Sequence, residues 1–469
     1  MCVSELPDPS WVLTKHSAQT AEGTISYTAT AGYVPLKNEQ GEVQAKMYFT
    51  AYTKEGDDAR RPLTFCWNGG PGSSSIWLHM GAMAPRRAHQ NSDATMAKGP
   101  AHIEDNDETW LPETDLVFVD PVGTGYSRVD KGSNNSYWGV DGDLSAMQSF
   151  IQNYLRLTSR RLSPIFLAGE SYGTTRAAGL ADRLHEAGIA LSGIVLISSA
   201  VNFNIFLNGG GNELPFMVYL PSYTAIAAFH KKLSPEYNSS RDRAIADCEK
   251  FAIDEYWPAL AKGDSLSLDE RRALAHKLAG FSGVSADYWM RANLRLDPSE
   301  FEKQLLKAEG HTIGRNDARA IGTDTDGNSQ QPEYDAADAA VDPIAITAFG
   351  DYVRNELGFK SELEYIPLNY GANGQWNWGR GLGAVVDQSN SLRAALNKNP
   401  YLKVLDCQGL YDLATPFFGS FYTMHHLGFN FGGRILMKTY EGGHMMYLNA
   451  SARQKLHRDV AAFIKSQIG

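Results

Sequence analysis

The chain has 469 residues, of which 43% are hydrophobic and 20% charged, with a net charge of −10. That size fits one large α/β domain with insertions or two to three average domains, and the acidic balance argues against nucleic acid or an anionic membrane surface as partner. No apolar run approaches the roughly 18 residues of a membrane helix. Residues 1–18 lack the basic end and apolar centre of a signal peptide, so the chain as written reads as cytoplasmic, with a periplasmic or secreted location as the alternative if a leader has been removed. Cys2, Cys66, Cys248 and Cys407 are scattered. Their spacing suits neither zinc nor redox work, and Cys66 and Cys407 read as small core side chains.

In chain order, Thr24 to Ala31 and Gln44 to Thr53 alternate apolar and polar residues, as half-buried antiparallel strands do. The compact run Pro62 to Trp67 then delivers the loop Asn68-Gly69-Gly70-Pro71-Gly72-Ser73-Ser74-Ser75. A glycine-rich loop after a strand is either a plain turn or a source of backbone N–H groups that no side chain obstructs. Thr114 to Asp120 is a third strand, short and β-branched, and residues 141–157 carry apolar side chains at helical spacing. Ile165 to Ala168 reads as a buried strand, Thr174 onward as a helix, and Ile194 to Ser198 as a further strand. Strands alternating with helices imply a parallel sheet covered on both faces.

From about residue 202 to 374 that alternation stops, which suggests an inserted helical cap between core parts 1–201 and 375–469. A segment of that length can roof a site and shape its pocket. Within it, Asp324, Asp326, Asn328 and Asp335 superficially resemble a calcium loop, but Ser329 stands where the sharp turn needs glycine, so a solvated acidic loop is the default and no metal is expected. Core character returns at Leu402 to Cys407. Asp412 follows that strand, Phe417 to Leu427 reads as a helix, Arg434 to Tyr440 as a last strand, and His444 lies just beyond it; a helix over about 450–464 closes the chain.

Between the strand at Ile165 and the helix at Thr174 sits Gly169-Glu170-Ser171-Tyr172-Gly173. In this setting a sharp strand-to-helix turn lifts a serine hydroxyl clear of the sheet edge. A serine after a strand is also a common helix cap, so the other loops must decide. Ser171, Asp412 and His444 stand after three different strands, in the chain order of the α/β-hydrolase scaffold. Ser171 would attack a carbonyl carbon, His444 would take and return its proton, and Asp412 would hold the imidazole in the needed tautomer. Backbone N–H groups of Tyr172 and of the Asn68-Gly69-Gly70 loop would receive the oxyanion. No cofactor is needed for this chemistry.

Trp67 to Ser75, Asp120-Pro-Val-Gly-Thr-Gly-Tyr-Ser127, Gly169 to Gly173 and Gly442-Gly-His444, with Asn106 and Trp110, resemble the signature segments of the serine carboxypeptidases, peptidase family S10. Gly314-Arg315 through Asp335 and Asp351 to Asn355 resemble a bacterial branch of it. The resemblance implies Gly70 and Tyr172 as the oxyanion donors. It implies Asn68, Gly69 and Glu170 as the binders of a peptide's C-terminal carboxylate, one of two facing carboxyls being protonated. The substrate would be a peptide with a free C-terminus, and a homodimer is compatible with the reading.

Two departures stand out. The family's second glutamate, in Glu-x-Gly-Pro, falls on Ala82-Met83-Ala84-Pro85, and its cysteine after Pro-Gly is Ser73, so the usual disulfides have no partners. Arg86 or Arg87 is the sequence-based candidate for a direct carboxylate clamp in place of the acid pair. The competing functions are an acyltransferase, esterase or hydroxynitrile lyase on the same site, and a binding protein without catalysis.

Overall fold

The computed structural model describes residues 11–56, 60–130, 135–209, 211–379, 385–428 and 431–468. Cys2 lies outside them. The strands of the main sheet are β1 (Val12–Thr20), β2 (Gly23–Lys37), β3 (Val43–Lys54), β4 (Leu63–Trp67), β5 (Asp115–Val119), β6 (Ile165–Ser171), β7 (Leu191–Ser199), β8 (Lys403–Gly409) and β9 (Ile435–Tyr440). They lie in the order β1-β2-β3-β5-β4-β6-β7-β8-β9, with Arg128–Val129 pairing beside β3 to make ten strands. Pairing is antiparallel from β1 to β5 and parallel from β5 to β9.

The central strands are continuous apolar runs because both faces are buried. Phe65, Trp67, Leu167, Leu196 and Val404 point to one face, packed under helices α1 (Val140–Leu157) and α2 (Tyr172–Glu186). Their neighbours Cys66, Phe166, Ala168, Ile197 and Cys407 point to the other. The C-terminal helix (Ala450–Ile468) covers that second face with Leu456, Val460 and Phe463. Cys66, Cys248 and Cys407 are buried free thiols. This is an α/β-hydrolase fold.

The long region between β7 and β8 packs in two ways. Residues from Ile205 to Ala318, including α3 (Leu214–Phe229) and α4 (Pro298–Gln304), form their own apolar cluster together with Leu410, Tyr411 and Phe417. Helix α5 (Ala336–Asp351) and its continuation instead join the sheet's core through Ile344, Phe349, Tyr352 and Phe359. Among the described residues no helix is long and apolar enough to cross a membrane.

The acidic loop is held partly by a lysine of α4. Buried Lys303 donates to Asp324 and, at 2.7 Å, to the carbonyl of Asp326, while Asp335 caps α5 through the N–H of Ala337.

Candidate active site

Strand β6 ends at Ser171, whose backbone has φ 59° and ψ −130°, and α2 starts at the next residue, two earlier than its apolar pattern suggests. A non-glycine residue in that region is strained, and the turn persists because its surroundings hold it. Trp67 Nε1 donates to the carbonyl of Gly173 at 2.8 Å, and Thr174 Oγ1 donates to the carbonyl of Ser171 at 2.6 Å. Gly169 has no side chain because a Cβ would collide with the Gly173 carbonyl.

His444 and Asp412 arrive from loops after β9 and β8. His444 Nδ1 lies 2.8 Å from Asp412 Oδ2. The fully buried Asp412 is fixed by three further donors: the N–H groups of Ala414 (2.7 Å) and Thr415 (2.9 Å) reach Oδ1, and Thr415 Oγ1 reaches Oδ2 at 2.6 Å. With Nδ1 engaged, Nε2 is the nitrogen left for Ser171. Burial works against a charged imidazole, but the facing carboxylates of Asp412 and Glu170 outweigh it, so the His444 pKa is raised. Ser171 Oγ makes no hydrogen bond to His444 in the structure; contacts of this kind commonly tighten only once substrate is bound.

The glycine loop lies against the elbow. A Cβ on Gly69 would sit 2.7 Å from the N–H nitrogen of Gly173, and Gly70 has φ +95°, in the region where only glycine is unstrained. Tyr172 opens α2, where a backbone N–H has no partner within the helix. Its N–H and that of Gly70 are the two candidates for meeting an oxyanion. The Asp120 motif is a brace: Asp120 Oδ1 accepts from the N–H of Ser75 at 2.9 Å, and Ser75 Oγ donates to the Val119 carbonyl. Burial pushes the Asp120 carboxyl up to about 7.

Beside the elbow, Asn68 Nδ2 donates to Glu170 Oε1 at 2.7 Å, while Asn68 Oδ1 accepts from the Leu78 N–H at 3.0 Å. Burial pushes the Glu170 carboxyl up to about 7, against the opposing pull of His444, Tyr447 and Asn68.

Asn68, Gly69, Gly70, Glu170, Ser171, Tyr172 and His444 line one cavity of about 660 Å³, and Asp412 stands behind His444. Residues not singled out in the sequence also wall it, among them Trp77, Tyr219, Glu302 and Asp342. Arg315 and Asn316 line it as well, and the sequence marks them only as part of a family-like stretch. Trp77, Tyr219, Glu302 and Asp342 sit in no glycine-rich turn, so no local signal marks them.

Arg86 and Arg87 do not line this cavity. They lie on a hairpin (Arg86–Ala88 with Ile103–Asp105), where Arg86 pairs with Asp105 and Glu356, and Arg87 with Glu104. The clamp expected from their place in the sequence is therefore corrected: both guanidinium groups are spent on neighbouring carboxylates. Ala82 and Ala84 are buried, and their carbonyls accept from Asn106 Nδ2 at 3.0 and 2.8 Å.

The model of one known family, serine carboxypeptidase, matches residues 20–251. Among curated proteins, the pheromone-processing carboxypeptidase KEX1 of Saccharomyces cerevisiae is 31% identical over 190 residues, covering 36% of this chain and 22% of that protein. Serine carboxypeptidase-like 35 of Arabidopsis thaliana is 27% identical over 221 residues, covering 46% and 42%. The chain thus matches less than half the length of these curated relatives. The crystal structure of a prohormone-processing carboxypeptidase from Saccharomyces cerevisiae, KEX1ΔP, superposes with a TM-score of 0.59 at 16% identity, covering 94% of this chain and 91% of that one. That likeness is one of fold.

Proposed function

From the premise that the chain belongs to the serine carboxypeptidase family, we propose that it is a serine-type carboxypeptidase, hydrolysing C-terminal peptide bonds through an acyl-enzyme. The observation that carries the reading is one cavity holding both a strained elbow serine beside a His–Asp pair and a buried, half-satisfied carboxyl. Ser171 Oγ attacks the peptide carbonyl carbon while His444 Nε2 takes its proton. The N–H groups of Gly70 and Tyr172 stabilise the oxyanion. Collapse expels the C-terminal amino acid, whose amine receives the proton from His444. Water, activated by the same imidazole, then releases the shortened peptide.

Asn68, Gly69 and Glu170 bind the substrate's α-carboxylate in this reading. A neutral Glu170 can donate to that carboxylate, whereas an ionised one repels it. The region 202–374 acts as the roof between core parts 1–201 and 375–469, and its stretches at Gly314 to Asp335 and Asp351 to Asn355 support a place in the bacterial branch.

A second reading, a general acyl hydrolase, is favoured by one observation: apolar, buried Ala82 stands where the family's second carboxyl is expected. Blocked dipeptides with free and with amidated C-termini separate the two. Cleavage of free C-termini alone, abolished in Ser171→Ala, is the carboxypeptidase outcome. Equal turnover of both replaces it with the hydrolase.

A further inference from the structure

The buried Glu170 carboxyl is held at one oxygen only. Oε1 accepts from Asn68 at 2.7 Å, whereas Oε2 makes no well-formed hydrogen bond among the described residues. Tyr447, three residues past His444, is fully buried and its hydroxyl likewise makes no well-formed hydrogen bond among the described residues. The two groups act on each other: the phenol lowers the proton affinity of Glu170, the carboxyl raises that of Tyr447, and the Asn68 side chain acts on both. The two side chains are thus within reach of each other without a well-formed hydrogen bond; a buried contact of that kind is costly, and a ligand that draws it into full hydrogen bonding removes the cost.

The surroundings are shaped for the phenol. A Cβ on Gly81 would lie 2.7 Å from Tyr447 Cε2, so the missing side chain makes room for the ring. Ala82 follows, small and buried, at the position where the family resemblance expects a second carboxyl.

We propose that Tyr447 is a positioning residue for terminal-carboxylate recognition: its hydroxyl donates to Glu170 Oε2, so that the proton on that same oxygen points at the α-carboxylate of the bound peptide. A carboxylic O–H oxygen can accept one hydrogen bond while donating another, so both contacts coexist. The arrangement replaces a pair of acids by an acid and a phenol. A second carboxyl would have to keep a proton of its own to donate, but a buried phenol donates throughout the pH range in which a serine hydrolase works. One proton, that of Glu170, then governs binding, and the charged groups facing it are His444 and Asp412.

This inference rests on the carboxypeptidase reading, and the experiment separates the two. Wild type, Tyr447→Phe and Gly81→Ala are assayed on a blocked dipeptide and on its C-terminal amide from pH 5 to 9, with sites counted by a sulfonyl fluoride. Gly81→Ala, which pushes the ring off its seat, carries the test if the phenylalanine variant does not fold. The expected result is a fall of about tenfold in the acid-over-amide ratio of kcat/KM, carried by KM. In Tyr447→Phe the pH at which KM for the free acid rises also moves upward, because the phenol that lowered the Glu170 pKa is gone. A wild type that discriminates while both variants keep its ratio and its pH profile overturns the role of Tyr447 alone. A wild type that treats acid and amide alike overturns the carboxypeptidase reading and this inference with it.

Discussion

The backbone carbonyl of Asn316, which belongs to the inserted region, accepts a hydrogen bond from the N–H of His444 at 2.5 Å. Its neighbours bind the other loop: the Arg315 carbonyl accepts from the Leu413 N–H, and the Ala318 N–H donates to the Tyr411 carbonyl, both at 3.0 Å. Residues 314–318 thus form a strap across the loops that carry Asp412 and His444. A Cβ on Gly443 would sit 2.5 Å from the Cα of Asp317, against the strap's backbone. Gly443→Ala should therefore shift His444 and lower kcat by roughly 100-fold, the scale of an ångström's misplacement. Steady-state kinetics with sites counted by a covalent inhibitor checks this, and unchanged kcat contradicts the strap's role.

Asp412→Asn should leave the fold intact, since the amide oxygen can still accept from the N–H groups of Ala414 and Thr415. It should place an NH2 group opposite His444 Nδ1 and force the wrong tautomer. The expected loss in kcat is about 10⁴-fold. Circular dichroism verifies the fold, and turnover of an activated ester gives the rate.

Two groups set the pH dependence. Glu170, raised to about 7, is neutral below that pH and ionised above it. KM for a free C-terminus should therefore be low in acid and climb through pH ~7, while the amide's KM stays flat. His444 must be neutral to act as base, and its pKa lies above the ordinary 6.5, so kcat should fall on the acid side of a point above 6.5. The kcat/KM profile on peptides is accordingly a narrow bell. A KM independent of pH would remove Glu170 from carboxylate binding.

Asp406, fully buried, accepts from Gln408 Nε2 and Ser420 Oγ at 2.8 Å each, and burial pushes its carboxyl up to about 7. Its folded pKa lies above the ordinary carboxylate value, so the native state keeps a proton that the unfolded chain releases. This group's contribution to stability therefore falls as pH rises from about 4 to 7. Asp406→Asn, whose amide oxygen still accepts from Gln408 Nε2 and whose NH2 donates to the Ser420 hydroxyl, cannot ionise and should be near neutral at pH 4. It should stabilise by about 3–4 kcal/mol at pH 8, some three pKa units at roughly 1.4 kcal/mol each. Urea unfolding of both proteins at the two pH values measures the difference, and a pH-independent difference refutes the assignment.

Lys303 and Asp324 form an ion pair with side-chain exposures of only 3% and 4%. Lys303→Met alone should cost about 3–5 kcal/mol by stranding the carboxylate, whereas Lys303→Met with Asp324→Leu should recover most of it. Thermal melts of the single and double variants decide, and equal losses in both would show that the pair is unimportant.

The elbow, the glycine loop and the two loops bearing Asp412 and His444 are legible in the sequence for a physical reason. A strained turn, a close backbone approach and a loop after a strand each restrict residue type over a few consecutive positions, as at Gly169, Gly70 and Gly443. The β6–α2 boundary is less legible, because Tyr172 and Gly173 carry no helical pattern and the helix starts there only to complete the elbow. Glu302 is an ordinary residue in an ordinary segment until the fold brings it to the cavity, and Tyr447 is one until the fold buries it. The pairing of Arg86 and Arg87 with Glu104, Asp105 and Glu356 depends on a hairpin and on a helix some 270 positions away, and proximity in sequence to the glycine loop pointed elsewhere.

The strap also bears on modularity. An insertion attached only through its two ends could be trimmed or exchanged for another roof, as loops on rigid scaffolds are when specificity is engineered. Here residues 314–318 are wedged between the aspartate and histidine loops, so a roof transplant that replaces them takes away part of the catalytic frame. Chimeras that change the substrate pocket should splice before residue 314 and re-enter after residue 318. The span Ile205 to Ile313 is then open to redesign, while the strap stays with the core it braces.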